Sequence, residues 1–459
     1  MKTNYIYKKR WIYIKRSWIG LIVLTLFVVS ACASGTGGKT AAGSTNEDAP
    51  VSASPTEKAT ETTQEEIELT IFKYGGVTLT NTEVETYFKP VEKKFPHIKI
   101  KLLDIPEGDP IEPLITAGTI PDLIFGGGYA ELKEKDLIAD LAPLKEKYGY
   151  DESRLKPEVV SAINQSSEGN QFPFSINLPV LYVNKDIFDR FNEPYINEVK
   201  TWDEIIGIAS RLTRSEGGVQ YVGIDLSPTR LGSGLSLDII DPVTGQAAVT
   251  DEQWTKVFKT LEKLYAIPGF VQGEDYRHDD KDDVFYADQN LALYTHNLAQ
   301  LVGPLEELRQ QGVTLNWDFA PHPNFEEALG TSVEINVHRF AITKGGQYQD
   351  EAYQVLNELL SDEVQRLVSR NGRVSVLNNP ELELEYGADI EVLKGKTIEN
   401  IFKADPRELN AENANERKIT KYIGEAAADL AIRGVDVNTA LRTAADKINK
   451  DLETLGKTK

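Results

Sequence analysis

A chain of 459 residues with one cysteine, Cys32, cannot close a disulfide within itself. The position of that cysteine sharpens the constraint. The 31 residues before it hold Lys2, Lys8, Lys9, Arg10, Lys15 and Arg16 and no acid, with an apolar block from Trp18 to Val29. Twelve helical residues rise about 18 Å, well short of a hydrocarbon core roughly 30 Å thick. A basic start, a short apolar middle and small residues after it read as a secretory signal over 1–31, not a membrane span. Small exported domains lean on disulfides; this body must hold together by core burial alone. About 390 residues follow position 66, enough for two domains of ordinary size.

Val29-Ser30-Ala31-Cys32 resembles the lipobox of bacterial lipoproteins. That resemblance implies a diacylglyceryl group on the thiol, cleavage that leaves Cys32 as the new N-terminus, and a place on the outer face of the cell membrane. A plain signal with a chance cysteine is the alternative. Two acyl chains would anchor firmly, at about 0.8 kcal/mol per buried methylene. Residues 33–66 are rich in Ala, Ser, Thr, Gly, Glu and Pro, with Val51 their only large aliphatic side chain. Such a segment reads as a flexible linker, holding the body on the order of 30 Å from the bilayer. The "GTGGKT" within it lacks the preceding strand and following helix of a phosphate loop. Losing the six signal cations takes the net charge from −21 to −27. So acidic a body excludes nucleic acid as a partner.

The body reads as α/β. "IELTIFK" stops at Gly75-Gly76, Val84, Phe88, Val91 and Phe95 recur at helical spacing, and "HIKIKLLDI" alternates with period two. Asp109-Pro110 and Gly118 bracket a second helix, and "PDLIFGGG" is a buried strand. Strand, helix, strand, helix, strand is the grammar of a parallel sheet covered on both faces. Further on, "LPVLYV", "YVGIDL", "LALYT", "WDFAP" and "RFAIT" read as strands. Thr201 to Glu204 and Thr250 to Gln253 read as capping boxes, the second opening a helix that buries Trp254, Val257, Phe258, Leu261 and Leu264. Helices dominate after Gln349, the last striped by Val437, Leu441, Ala444, Ile448 and Leu452.

"VEKKFPHIKIKLL", "LITAGTIPDLIFGGG", "FPFSINLPVLYVNKDIFDRF", "TWDEIIGIASRLT", "DQNLALYTH" and "RFAITKGGQYQDEAYQVLNELLSDEVQ" stand in order along the body. Together they resemble the extracellular solute-binding proteins of family 1, from Ile67 to about Leu455. The resemblance implies a two-lobe periplasmic-binding-protein-like fold with multiple hinge crossings and a helical C-terminal segment. Crossings are expected near 174–179, 321–323 and 370–376. Lobe one would be 67–176 plus 324–369, and lobe two 177–322 plus 373–459. It further implies a monomer that captures a solute, most often an oligosaccharide, by hinged closure. The solute would pass to the transmembrane subunits of an ABC importer. The same fold serving a membrane-bound sensor kinase is an open alternative, and a surface hydrolase a more distant one.

Ligands bind outside the carboxyl ends of strands in open α/β sheets. That points to Tyr74 and Gly75 after the first strand and to Gly127 and Tyr129 after "PDLIF", with Tyr129 the preferred stacking ring. Relatives place a polar residue at the first crossing, which corresponds to Asn177; its amide suits a polyol. The segment that usually carries a stacking tryptophan holds Tyr294, His296 and Asn297 instead. Trp202, Trp254 and Trp317 read as structural. Tyr276, in a long loop, offers aromatic surface. Arg230, Arg277 and Arg373 are loop arginines; two of them pointing inward would favour an acidic sugar or another anion.

No motif calls for a cofactor or a metal. The five histidines fall singly, HExxH is absent, and "HDDKDD" lacks the glycine and terminal glutamate of an EF-hand. Ser153 to Lys156 fits SxxK without its companion SDN and KTG elements, and no GxSxG occurs. No catalytic residue is expected.

Overall fold

The computed structural model describes residues 65–75, 79–105, 111–276, 282–407 and 415–456. The signal, Cys32, the linker as far as residue 64, Gly76, Asp109-Pro110, Arg277 and residues 278–281 of the acidic run lie outside the described residues.

Two α/β lobes carry separate sheets. The strands are β1 (Ile67–Tyr74), β2 (Ile98–Leu102), β3 (Leu123–Gly126), β4 (Phe172–Asn177) and β5 (Pro179–Asn184). A hairpin of β6 (Arg214–Glu216) and β7 (Val219–Tyr221) follows, then β8 (Leu293–Asn297) and β9 (Trp317–Ala320). The last are β10 (Thr331–Glu334), β11 (Asn336–Ile342), β12 (Val374–Ser375) and β13 (Asp405–Arg407).

The first sheet has the order β12-β4-β11-β3-β1-β2. Strand β1 runs parallel to β2 and β3, with Ile67 opposite Ile98 and Ile71 opposite Leu123. This is the parallel unit the strand–helix alternation implies. Strand β3 is buried along its whole length, as an apolar run covered on both faces must be. The second sheet, β8-β5-β9, is antiparallel. Its centre is Tyr182, fully buried among Tyr294, Trp317 and Phe319.

Helix starts follow local chemistry. Thr80 with Glu83 and Thr201 with Glu204 form reciprocal capping boxes. Helix Glu252–Tyr265 starts differently from the expected Thr250 box. Asp251 is its cap, accepting from the Trp254 amide at 2.7 Å, because a carboxylate one residue nearer outcompetes the threonine. Pro90 lies inside Asn81–Lys94 without ending that helix. The expected strand "YVGIDL" is also corrected: beyond Tyr221 it makes only isolated bridges, Val222 to Leu291 and Asp225 to Tyr294. Gly223 presses so closely on helix Trp202–Leu212 that a Cβ there would lie 2.2 Å from the Ala209 carbonyl oxygen. Trp202, Trp254 and Trp317 are all buried.

The chain passes from the first sheet to the second between Asn177 and Pro179. It returns at Ile335–Asn336, later than the expected 321–323. Asn324 is tied to the second lobe by Nδ2 donating to the Gly234 carbonyl at 2.8 Å, and β10 pairs with β13. The last passage lies near Ile390–Glu391, beyond the expected 370–376. Ser369 holds the Leu382 carbonyl, whereas the Val392 amide donates to Glu306 of helix Ala299–Gln310 at 3.0 Å.

Candidate functional site

Register brings several expected residues to one edge of the first sheet. Tyr74 and Gly126 end β1 and β3 side by side. Strand β11 runs the other way, so its first residue, Asn336, comes to the same edge, opposite Asn177 at the end of β4. Val374 pairs with Ile176, which puts Arg373 there too. Gly75 and Gly127 have φ of 77° and meet: a Cβ on Gly75 would lie 2.9 Å from the Gly127 Cα. The Tyr74 ring covers Gly127, and its hydroxyl donates to Glu131.

Three strands of this edge are joined by side chains. Arg373, 7 % exposed, donates from Nε to Glu83 at 2.7 Å and from Nη1 to His338 Nδ1 at 3.0 Å. Ser175 Oγ lies 3.2 Å from the same nitrogen. A guanidinium only donates, so Nδ1 is the acceptor and the imidazole proton sits on Nε2. Burial first, then the charges of Arg373 and Arg339, push His338 down to about 3. Arg373 is therefore the centre of a buried network. It also faces Phe125, with the guanidinium carbon 5.9 Å from the ring centroid.

Tyr129 does not present a stacking face. Its ring is 7 % exposed and its hydroxyl is fixed by Glu168 at 3.1 Å and by Asn170 at 3.2 Å. Tyr294 is fully buried between Phe285 and His296. His296 stacks on it at the end of β8 and accepts from the Asn297 amide at 2.8 Å. Tyr276 stands apart, its hydroxyl donating to the Gly424 carbonyl at 3.2 Å and its ring edge-on to Tyr265. Asn177 Oδ1 accepts from the Ala299 amide at 3.0 Å, so this crossing residue caps a helix of the other lobe.

Two expected residues share a cavity. Arg230 and Asn297 line a volume of about 380 Å³, together with Ser227, Thr229 and Ser233 of the second lobe. The returning chain supplies Glu334 and Asn336, and β11 supplies Arg339. Ser227 caps helix Pro228–Ser233, and its hydroxyl accepts from the Arg230 amide at 3.3 Å. Arg339 is steered from lobe one, where Nη1 donates to Ser166 and Nε to the Val337 carbonyl at 3.2 Å. The positive charge of Arg230, after burial, helps push His322 down to about 3. Asn177 and Arg373 flank this region on the sheet edge. Tyr74, Gly75, Gly127, Tyr129, Tyr276, Tyr294 and His296 do not line the cavity.

Ser227, Thr229, Ser233, Val333, Glu334, Ile335, Asn336 and Arg339 were missed. The Ser227-Pro228 cap signal was there to be read; the others converge only through tertiary placement. A larger groove, about 570 Å³, runs beside helix Glu252–Tyr265 and holds none of the expected residues. Two of its three lysines are matched to acids, Lys256 with Glu327 and Lys263 with Asp203. Ser153 and Lys156 do not form a nucleophile pair: Ser153 bonds Asp151 at 2.6 Å and Lys156 pairs with Glu383. Among the described residues no group of three metal-ligating side chains occurs, and no helix is long and apolar enough to cross a membrane.

A family profile described as bacterial extracellular solute-binding protein matches residues 80–366, more than half of the chain. A sequence search of curated proteins finds no match. Among solved structures, the chain is similar to an ABC substrate-binding protein from Listeria monocytogenes in complex with cycloalternan. TM-score is 0.66 and identity 15 %, over 85 % of this chain and 100 % of that one. A sugar transporter from Rhizobium etli in an open conformation gives 0.64 and 18 %, over 83 % and 99 %. The sugar-binding protein MalE from Xanthomonas citri gives 0.63 and 15 %, over 85 % and 99 %.

Proposed function

Because this chain belongs to the bacterial extracellular solute-binding proteins, we propose that it captures a carbohydrate between its lobes and hands it intact to an ABC importer. The observation that carries this reading is the cavity of about 380 Å³ walled by both lobes, where polar side chains stand beside Val333 and Ile335. Its size falls within the range of small-molecule pockets. Hydroxyls and amides from Ser227, Thr229, Asn297 and Asn336 offer donors and acceptors to a polyol. Sugar-binding relatives with the same fold support the choice of ligand. The lobes we infer are 67–177 with 336–390, and 178–335 with 391–456. Closure follows from mass action: a solute that bonds both lobes favours the closed form by its difference in affinity for the two forms. Cys32, lipidated, would hold a monomeric body at the outer membrane face. No step breaks a bond in the solute.

A thermal-shift panel of neutral and acidic mono- and oligosaccharides, polyamines and amino acids tests this. A true ligand at about a hundredfold its Kd stabilises the native state by about 2.7 kcal/mol. It should also compact the scattering profile and be recovered uncut. If only polyamines or amino acids raise the midpoint, the carbohydrate reading is wrong.

A further inference from the structure

We propose that the side-chain amides of Asn297 and Asn336 form the floor on which a neutral, hydroxylated solute is seated before the lobes close. The inference rests on the preceding reading of the cavity as the solute site and names the groups that take the solute there. Most polar side chains of the wall are already occupied. Arg230, Glu334 and Arg339 are each engaged within the protein. The Ser227 and Thr229 hydroxyls are hydrogen-bonded to each other at 3.0 Å, and Ser233 Oγ accepts from the Glu334 amide at 3.2 Å. Among the described residues, the side chains of Asn297 and Asn336 have no hydrogen-bond partner. A neutral solute can bond both without breaking a contact the protein already makes. A charged one would have to draw Arg230 or Arg339 away from its present contacts.

Their place in the fold sets what these amides do. Asn297 ends β8 opposite Pro179, the residue that follows the first passage between the sheets. Asn336 begins β11 opposite Asn177, just after the passage at Ile335–Asn336. Both therefore stand beside hinge segments. In a rigid rotation a point moves in proportion to its distance from the axis, so these two amides shift least as the lobes swing. Contacts that are alike in the open and closed forms add affinity to both and leave the balance between them where it was. Each carboxamide offers an acceptor oxygen and a donor nitrogen, which matches hydroxyls that both donate and accept. Val333 and Ile335 give the same wall an apolar strip for the C–H surface of a sugar.

Calorimetry and small-angle scattering on the purified full chain test this with maltose, maltotriose, mannotriose and mannitol, and with glucuronate and galacturonate as charged counterparts. At least one neutral compound should bind, and more tightly than the acids. Asn297→Ala and Asn336→Ala should each weaken that binding about tenfold while the melting midpoint without sugar holds. At saturating sugar both variants should compact as far as the parent chain does. Asn336→Gln, which keeps the amide on a longer stem, should lose less than Asn336→Ala. Variants that bind within about twofold of the parent, or that bind but no longer compact, overturn the floor role. Tighter binding of an acid overturns the neutral class. Each of these results leaves the carbohydrate reading standing. If no compound of either kind binds, both readings fall together.

Discussion

Arg373 and Arg230 look alike in the sequence, each an arginine in a loop beside a strand or cap, and the fold puts them to opposite uses. Arg373 is sealed under the first-sheet edge, bonded to Glu83 and His338 in a network that joins β4, β11 and β12. Arg230 borders a cavity with hydroxyls and amides around it. The first holds the strands that the chain uses to cross between lobes; the second lines the cavity proposed for the solute. A loop arginine is thus a poor guide until its neighbours are known, because burial and a carboxylate partner convert a recognition group into a strut.

The contrast can be broken by experiment. The largest effect should come from Arg373→Met, which takes one hydrogen-bond partner each from Glu83 and His338. Glu83 is only partly buried and keeps its Thr80 bonds, so the cost should be about 1.5–3 kcal/mol, readable by urea unfolding. A loss under 1 kcal/mol would place Arg373 among the dispensable surface cations. Acid comes next. His322 and His338 are held down to about 3, whereas an unfolded histidine titrates near 6.5. Above pH 6.5 both states are neutral and the full stability is present. Below it the unfolded chain binds protons that the native one refuses. Stability should therefore decline by about 1.4 kcal/mol per pH unit for each imidazole as pH falls toward 3. His338→Asn should shallow that slope; a slope that stays unchanged would put the proton uptake elsewhere.

Smaller effects sharpen the picture of the first-sheet edge. Gly127→Ala forces a side chain into φ 77° and 2.6 Å from the Tyr74 ring. It should cost about 1–2 kcal/mol, visible as a lowered melting midpoint. Asn177→Ala removes the acceptor for the Ala299 amide and should cost about 1 kcal/mol of stability. If Asn177 serves the solute as well, calorimetry will show a matching loss of affinity; unaltered affinity would leave it a helix cap only.

Much of the fold could be read from residue patterns. The alternation of "IELTIFK", a helical stripe and "HIKIKLLDI" specifies the parallel β1–β2 pair, and the Thr201 box marks a helix start to the residue. Local chemistry carries that information. It failed where a distant element decided: Gly223 leaves the strand ladder because of Ala209, and the second passage moves to Ile335 because Asn324 is bonded to Gly234. The site was harder still. Arg230 and Asn297 were reachable from position after a strand or cap, but Arg339 sits inside a strand that reads as core, and Glu334 in a stretch assigned to the other lobe. Tyr129 shows the opposite difficulty. A ring at a strand's carboxyl end looks available until Glu168 and Asn170 claim its hydroxyl.

The contact between Gly75 and Gly127 has a consequence for how such a protein can change. Where two main chains touch, there is no side chain to exchange, and any substitution disturbs the scaffold before it alters recognition. The cavity, which neither glycine lines, is walled instead by exchangeable side chains, among them Thr229, Asn297 and Asn336. Drift toward a new nutrient would then be written in those side chains, leaving the paired glycines as an inherited anvil.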